Sequence, residues 1–368
     1  MTYLLYSSVG EIFSYIGYIL LAVLVLLVMI TVHEFGHYIT GKIFKFGIEE
    51  FAIGFGPAIF KRKLKSGEQF SLRIFPLGGF CAFKGEDEEL DAPDAFNKQK
   101  PWKRFIVLIS GAVMNYLLAL LIIVISFGVY GQAHLITHYV EGPTSEYTAE
   151  YSFNTDDVIL KIEGKDVYMA TSLINELNGK KQGDKVNFLV LSKIDGEYQK
   201  VEKQIVLRKD ANFKNIEEID LLYEVLGIQK QGLYSVGIKL GFFETIGRAF
   251  MHSIEIAGTI FMVLGQLLTG KLGLGAMGGT VTTIAVTADV IKTGGLYSLL
   301  QMGSFIGVNL AVFNLLPIPA LDGSRAVFTV IEGIRKKPLN RKVEGMIHTI
   351  GLILLLAFAV LLDLQQCF

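Results

Sequence analysis

The chain has 368 residues, 51% of them hydrophobic and only 19% charged, with a mean hydropathy of +0.47, and this composition excludes a wholly water-soluble protein. A formal net charge of -1, from 34 basic and 35 acidic residues, argues against a nucleic-acid partner. Only two cysteines are present, Cys81 and Cys367, so no disulfide is needed to explain the fold.

Four segments are apolar and long enough to be transmembrane helices, because about 20 apolar residues span the roughly 30 Å of hydrocarbon in a bilayer. The predicted spans cover residues 12–40, 105–133, 293–321 and 345–362. The first is too long for the apolar part of a signal peptide and has no Lys or Arg before it, so we expect it to persist in the mature protein. The predicted fold class is a polytopic α-helical membrane protein with about four transmembrane helices.

Basic residues give the predicted orientation, because Lys and Arg favour the cytoplasmic side of a membrane. Residues 41–104 contain twelve Lys and Arg, and the loop between the third and fourth spans contains six. Residues 1–11, the twenty residues after the second span and the tail after Leu362 contain none. Both termini are therefore expected outside the cytoplasm.

Residues 242–288 fit a transmembrane span less well. Glu244, Arg248 and Glu255 make the first part amphipathic, which favours an interfacial or gating helix, and a glycine-rich segment follows. Two additional crossings here would agree with the distribution of basic residues, whereas a single one would reverse the orientation of everything downstream.

Short alternating runs and turn residues predict a small β-rich domain at residues 134–212. Asp195-Gly196 predicts a type I′ hairpin turn, since both central residues of that turn need positive φ. Glu163-Gly164 predicts a second tight turn. The stretch that begins at Asp157 resembles bacterial PDZ domains, which implies an inserted extracytoplasmic PDZ-like α+β domain.

A β-hairpin associated with the membrane is predicted at residues 49–85 of the first cytoplasmic loop. Two phenylalanine-rich runs flank a basic turn at Ser66-Gly67. Because these apolar strands adjoin a span, we expect the hairpin to dip into the lipid interface, where an exposed strand edge could pair with another extended chain.

The predicted organisation has four parts. They are a first half of the membrane core (1–133), the PDZ-like domain (134–212), a linker with an amphipathic helix and a glycine-rich segment (213–292), and a second half of the membrane core (293–368).

A candidate metal-binding pattern, His33-Glu34-Phe35-Gly36-His37, stands at the cytoplasmic end of the first span. On a helix, residues four apart are separated by about 40° and about 6 Å, so both imidazoles can reach one Zn²⁺ at roughly 2.1 Å. Glu34 flanks the same face and can take a proton from a metal-bound water. The alternative is that the two histidines only cap the span at the interface.

A third ligand is expected because a catalytic zinc ion takes three protein ligands and leaves the fourth position to water. Asp322 ends the third span on the same side as the two histidines, and Pro317 and Pro319 break the helix ahead of it. The broken backbone can turn Asp322 inward. The alternative is an ordinary aspartate beside the membrane.

His134 and His138 share the spacing of the first pair but have no Glu between them, and the sequence around them predicts a strand. Strand residues four positions apart lie about 13 Å from each other, too far to share a metal. We therefore expect surface or strand histidines here, and packing or polar contacts for His252 and His348.

These features together resemble the site-2 protease family of intramembrane zinc metalloproteases, and most closely its bacterial RseP/RasP branch with a single PDZ domain. The resemblance rests on the pattern from His33 to His37, the segment Asn314 to Gly323 and the intervening PDZ-like domain, and it covers essentially the whole chain. The sequence departs from the family at Gly111-Ala112, where Gly-Pro is usual, and in the glycine-rich segment, which lacks the expected Gly-Pro pair.

The resemblance implies cleavage of single-pass membrane proteins or signal-peptide remnants within the bilayer, as in regulated intramembrane proteolysis, usually after another protease has removed the outer part of the substrate. It implies a bacterial cell membrane location with the active site near the cytoplasmic side. The expected site has Zn²⁺ bound by His33, His37 and Asp322, with Glu34 as the catalytic residue. The expected substrate contacts are Asn314, Asn115, Phe75, Gly78 and Gly79.

Two other classes of function remain open at this point. A zinc-binding membrane scaffold could present a PDZ domain without cutting any substrate, and turnover of excess substrate would distinguish it from a protease. A transporter is disfavoured, because the sequence has no visible inverted repeat and its intramembrane polar residues gather at one side of the membrane.

Overall fold

The computed structural model describes residues 9–86, 89–142, 147–214, 218–230, 232–273, 275, 278–337 and 339–367. The helices are α1 (Val9–Ile43), α2 (Pro101–Tyr130), α3 (Ala170–Leu177), α4 (Ile219–Leu226), α5 (Phe242–Leu268), α6 (Thr280–Leu315), α7 (Asp322–Arg335) and α8 (Arg341–Cys367). The strands are β1 (Ile48–Lys63), β2 (Gln69–Phe83), β3 (Gln132–Thr137), β4 (Asp157–Ile162), β5 (Lys165–Asp166), β6 (Lys185–Ile194), β7 (Glu197–Val206) and β8 (Leu233–Ile238). Two compact units are present, Met1–Ser126 with Ile246–Phe368, and Phe127–Thr245.

Five helices in the described part of the chain are long and apolar enough to cross a membrane: α1, α2, α5, α6 and α8. Four of them overlap the predicted spans. The additional one, α5, falls in the region where the sequence left the number of crossings open, and its mean hydropathy of 1.4 is the lowest of the five. Length and composition therefore admit α5 as a further span.

The second and third spans begin and end earlier than the sequence indicated. Helix α2 starts at Pro101, whose missing N–H costs nothing in a first turn, and Gly131 follows its last residue with a φ of 86°. Helix α6 starts at Thr280, contains a kink at Gly295 and ends at Leu315 instead of Leu321. It ends there because Pro317 restricts the residue before it and cannot donate a helical hydrogen bond.

Small residues allow the membrane helices of the first unit to approach closely. A Cβ built on Gly36 of α1 would lie 2.5 Å from the Ser110 carbonyl oxygen of α2. On α6, a Cβ built on Gly307 would lie 2.9 Å from Cβ of Ala119 and 3.3 Å from the sulfur of Met29. Helices α1, α2 and α6 consequently meet around the C-terminal half of α1, which carries the histidines.

Strands β1 and β2 form the antiparallel hairpin that the sequence predicted at residues 49–85. Its inner half packs on α2 through a cluster of buried aromatic and aliphatic side chains, which includes Phe46, Phe51, Phe83, Phe96 and Val107. Bulges divide this half from the outer half. Outer side chains are exposed, among them Phe55, Ile59, Phe60, Ile74 and Phe75.

The second unit contains an antiparallel sheet in the order β7-β6-β4-β3-β8, with the short strand β5 paired to β4. Asp195 and Gly196 both have positive φ, at 52° and 92°, and join β6 to β7 as the predicted hairpin turn. Glu163 and Gly164 form the other predicted turn in the same way. Helices α3 and α4 supply buried leucines to a separate core, whose members include Leu173, Leu177, Phe188 and Leu222.

Candidate active site

His33 and His37 lie one helical turn apart on α1, and both are buried with 7% of their surface exposed. Their ring centroids are 4.8 Å apart and the rings meet edge to face, so that the two Nε2 atoms are separated by 3.2 Å. The helical spacing read from the sequence therefore brings two nitrogen donors together.

Asp322 joins these histidines although it lies 289 residues beyond His33 in the chain. Its Oδ2 atom is 2.9 Å from Nε2 of His33 and 3.3 Å from Nε2 of His37. Asp322 is the first residue of α7, and the turn after α6 directs its carboxylate to α1. These three residues form the one group of three or more potential metal ligands among the described residues.

The geometry of the three donor atoms suits a zinc ion. Ligand atoms about 2.1 Å from a tetrahedral zinc ion lie roughly 3.4 Å from one another, and the three separations here are 2.9, 3.2 and 3.3 Å. Two imidazoles and one carboxylate are also a donor set that zinc prefers in catalytic sites.

Hydrogen bonds from α2 orient both imidazoles. Nδ1 of His37 donates to the carbonyl oxygen of Val107 at 2.8 Å, which leaves Nε2 free to face a metal. Asn115 is fully buried, and its Nδ2 lies 3.4 Å from Nδ1 of His33, while its Oδ1 has no hydrogen-bond partner in the part of the chain that the structure describes. Because the two ends of an amide are nearly indistinguishable, the opposite rotamer would let His33 Nδ1 donate to Oδ1 and satisfy both groups.

Gly111 of α2 provides the space beside the donor atoms. A Cβ built on it would lie 2.5 Å from Nε2 of His37 and 2.7 Å from Nε2 of His33. Any larger residue would therefore clash with both imidazole rings. In the sequence, Gly111 stands out only as part of the Gly111-Ala112 departure from the family, although its position four residues before Asn115 puts both on one face of α2.

Glu34 lies beside the three donors and is contacted by strand β2. The backbone N–H of Cys81 lies close to its carboxylate. A Cβ built on Gly79 would lie 3.3 Å from Cγ of Glu34 and 2.9 Å from the carbonyl oxygen of Ala52. The hairpin thus passes next to Glu34, a contact that the sequence did not reveal.

The other residues expected to contact substrate are Phe75, Gly78, Asn314 and Asn115. Phe75 is 60% exposed on the outer part of the hairpin, and Gly78, with a φ of 146°, lies against the ring of Phe55. Asn314 occupies the last turn of α6 and is partly exposed. Within the described residues, Asn115 hydrogen-bonds to one of the three donors and Asn314 does not.

Cys81, His134 and His138 lie in environments that differ from that of the three donor residues. Burial raises the pKa of the Cys81 thiol well above its usual range, so this thiol stays protonated. His134 lies on β3 against the ring of Tyr168, and His138 pairs with Asp156 at 2.9 Å. The strand predicted around them is present as β3, whose last residue, Thr137, directly precedes His138.

Residues 21–358 match the model of Peptidase family M50, so the chain belongs to this family, that of the site-2 proteases. Among its relatives, a protein of Clostridium perfringens is 32% identical over 359 residues, which cover 95% of this chain and 98% of the relative. One of Fusobacterium nucleatum is 30% identical over 356 residues, with 94% and 97% covered. Both carry the name "putative zinc metalloprotease".

A third relative, the zinc metalloprotease RasP of Bacillus licheniformis, is 26% identical over 427 residues, which cover 91% of this chain and 96% of that protein. The protein described here is accordingly a zinc metalloprotease and a multi-pass membrane protein. Its family acts on membrane-protein substrates in the bilayer.

Proposed function

We propose that the protein cleaves single-pass membrane proteins or signal-peptide remnants inside the bilayer, as a step of regulated intramembrane proteolysis. Its substrates would be fragments from which another protease has already removed the outer part. The observation that carries the proposal is the triangle of His33, His37 and Asp322, with Glu34 beside it on the same helix.

Nε2 of His33, Nε2 of His37 and Oδ2 of Asp322 are the atoms that would hold the metal, and the glycine at position 111 leaves the space for it. When bound, Zn²⁺ supplies Lewis acidity, which lowers the pKa of water from 15.7 to about 7 and polarises a carbonyl group. Asn115 and the Val107 carbonyl group keep the two imidazoles turned toward this position.

Glu34 is the proposed general base and acid. It takes the proton from the attacking water and passes it to the nitrogen that leaves when the peptide bond breaks. The Cys81 N–H group lies close to this carboxylate and would donate to one of its oxygens, which leaves the other oxygen for the proton.

Substrate would bind as an extended strand beside the hairpin, because a helical segment hides its peptide groups in internal hydrogen bonds. The part of β2 near Phe75, Gly78 and Gly79 is the proposed pairing edge, since Gly79 adjoins Glu34. Asn314 is partly exposed and is the better-placed amide to contact the substrate backbone. Asn115 is buried beside His33, so we assign it first to the orientation of that ring.

The second unit would act as a PDZ-like domain outside the cytoplasm, filtering substrates by size or reading an exposed chain end. Its six-stranded antiparallel sheet with two short helices supports this proposal. The proposed orientation has both termini outside and the active site near the cytoplasmic side of a bacterial cell membrane, because basic residues cluster after α1 and before α2. This orientation requires that α5 lie along the membrane interface, since one further crossing would place Asp322 on the opposite side of the membrane from His33 and His37.

The test is Glu34→Gln in full-length protein reconstituted with a single-span membrane peptide. Zinc content should match that of the wild type, while cleavage should fall by roughly 10²- to 10⁴-fold. Glu11→Gln, an exposed change near the other end of α1, serves as the matched control and should cleave normally. Undiminished cleavage by Glu34→Gln would remove Glu34 from the mechanism. Because the chain belongs to a protease family, the alternative function, a zinc-binding membrane scaffold that does not cut its ligands, is not favoured.

A further inference from the structure

The six residues between α6 and α7 decide where the Asp322 carboxylate lies. We propose that His348 on α8 is a positioning residue for Asp322, and that it acts by holding this turn in the conformation that brings the carboxylate to His33 and His37. The inference rests on the proposed role of Asp322 as a metal ligand. It assigns a role to a histidine for which the sequence offered only packing or polar contacts.

The connecting turn has few internal hydrogen bonds of its own. Pro317 and Pro319 have no N–H group to donate. Leu321 donates to the carbonyl oxygen of Ile318 at 3.1 Å, and Ala320 has a φ of 81°, in the left-handed region that side chains other than glycine rarely adopt. An alanine persists in this conformation only where surrounding groups hold it.

His348 supplies such a group. The backbone N–H of Ala320 donates to Nδ1 of His348 at 3.2 Å, two residues before Asp322. The imidazole is buried, with 7% of its surface exposed, and its edge meets the ring of Phe328 on α7. Without Nδ1, the N–H group of Ala320 would lose its hydrogen-bond acceptor in this partly buried turn. Ala320, whose backbone is strained, would then lose a contact that holds it in place.

Gly351, three residues further along α8, brings the same helix against the turn. A Cβ built on Gly351 would lie 2.4 Å from Cβ of Pro319 and 2.7 Å from its carbonyl carbon. Helix α8 therefore supports the turn at two adjacent points, by a hydrogen bond at Ala320 and by direct backbone approach at Pro319. Both points precede Asp322 by no more than three residues.

Two polar substitutions separate the hydrogen bond from general packing. In His348→Asn, the side-chain oxygen can take the place of Nδ1 and still accept from Ala320. In His348→Gln, the amide reaches the place of Nε2 instead, and the acceptor beside Ala320 is lost. His138→Asn, at an exposed position of the second unit, controls for the loss of one histidine.

The measurements are the zinc dissociation constant of the full-length protein in detergent, by competition with a chelator, and the visible absorption spectrum of the cobalt-substituted protein. His348→Gln should weaken zinc binding about 10- to 100-fold and alter the cobalt spectrum, which reports ligand geometry. His348→Asn should stay within about threefold of the wild type. Thermal unfolding of each variant should be followed in parallel.

Equal zinc affinity in His348→Gln and the wild type would overturn the inference, and so would equal losses in the Gln and Asn variants. Asp322→Ala distinguishes this failure from a failure of the proposed function. If Asp322→Ala loses zinc while His348→Gln does not, only the positioning role is wrong. If Asp322→Ala binds zinc as tightly as the wild type, the proposed metal site itself is wrong.

A second comparison uses Ala320→Gly, because glycine adopts positive φ without strain. In this background the turn needs less support, so His348→Gln should weaken zinc binding by a smaller factor than it does with Ala320 present. An equal factor in both backgrounds would show that His348 does not act through Ala320.

Discussion

Arg325 on α7 forms an ion pair with Glu86, which follows strand β2. Arg325 lies one helical turn after Asp322, and the other carboxylate oxygen of Glu86 accepts from the backbone N–H of Phe83 at 3.3 Å. The pair consequently connects the helix that carries the third donor to the strand whose Cys81 N–H contacts Glu34. Residues expected to bind the metal and to transfer the proton are thereby fixed relative to each other.

Reversing the charge of either member of this ion pair should lower activity, and reversing both charges together should recover part of the loss. Glu86→Arg or Arg325→Glu places like charges together, so each should reduce kcat/KM on the order of tenfold, which corresponds to about 1.4 kcal/mol. The swapped double variant should cleave faster than either single variant, with a coupling energy of about 1 kcal/mol. Cleavage kinetics of the reconstituted protein provide the measurement.

Arg335→Glu is the control for the charge change, since Arg335 is exposed in the last turn of the same helix. It should leave kcat/KM within about twofold, the range expected for a surface substitution. Losses that simply add in the double variant would mean that Glu86 and Arg325 do not act as a pair.

Substitution of Gly111 by alanine should prevent metal binding, because the new methyl group would lie 2.5 to 2.7 Å from the imidazole nitrogens of His33 and His37. Zinc affinity should fall by more than about tenfold. On the same helix, a Cβ at Gly128 would meet no described atom within 4 Å, so Gly128→Ala should keep normal affinity and gain up to about 1 kcal/mol of helix stability. Normal zinc content in Gly111→Ala would show that the ion occupies another position.

The proximity of His33 and His37 could be predicted because both residues belong to one helix, whose period fixes the angle and distance between them. Asp322 was predictable for a different reason: proline residues near the end of an apolar span leave a carboxylate at the depth of the histidines. The separations of 2.9 and 3.3 Å from Asp322 to the two imidazoles agree with both inferences.

Contacts between distant segments could not be predicted in this way. The Cys81 N–H reaches Glu34 only because the hairpin folds back along α1, and His348 reaches Ala320 only because α8 packs on the turn. Backbone donors carry no side-chain signature, and a single histidine has no spacing to interpret. The start of α6 at Thr280 was missed for a related reason, since Lys292 and the glycines at 294 and 295 interrupt its apolar pattern.

Acidification should destabilise the hairpin through Glu68. Its carboxylate accepts from Lys42 at 2.7 Å, from Tyr38 at 2.8 Å and from Ser66 at 2.9 Å. Burial raises its pKa, but these hydrogen bonds lower it further, so that the pKa falls from 4.5 to about 2. The carboxylate therefore stabilises the folded hairpin above pH 4.5, and this contribution is lost as the pH falls from there toward 2.

Limited proteolysis in the basic turn between β1 and β2, at pH 5, 4 and 3, would detect this loss as faster cleavage. Glu68→Gln should show a smaller increase over the same range, because it has no proton to gain. Glu49→Gln, an exposed change on the same hairpin, should retain the wild-type dependence. A steep dependence in Glu68→Gln would assign the effect to another group.

Asp363, near the end of α8, caps the first turn of α6. Replacing its carboxylate should destabilise that turn. Its Oδ1 accepts from the backbone N–H of Thr282 at 2.9 Å and from the Thr282 hydroxyl at 2.8 Å, while Oδ2 accepts from the N–H of Val281 at 3.1 Å. These N–H groups have no partner within their own helix. Asp363→Ala should therefore cost about 1 to 2 kcal/mol of stability.

Hydrogen exchange at residues 280–290 in detergent would locate the effect, and denaturant unfolding would measure its size. Asp363→Asn keeps one acceptor oxygen for Thr282 and should lose less stability than Asp363→Ala. Exchange at the turn between α6 and α7, around Ala320, should be unchanged in both variants, since that turn contacts α8 roughly three to four helical turns before Asp363, at His348 and Gly351. Equal protection of residues 280–290 in the wild type and Asp363→Ala would show that α6 does not need this cap.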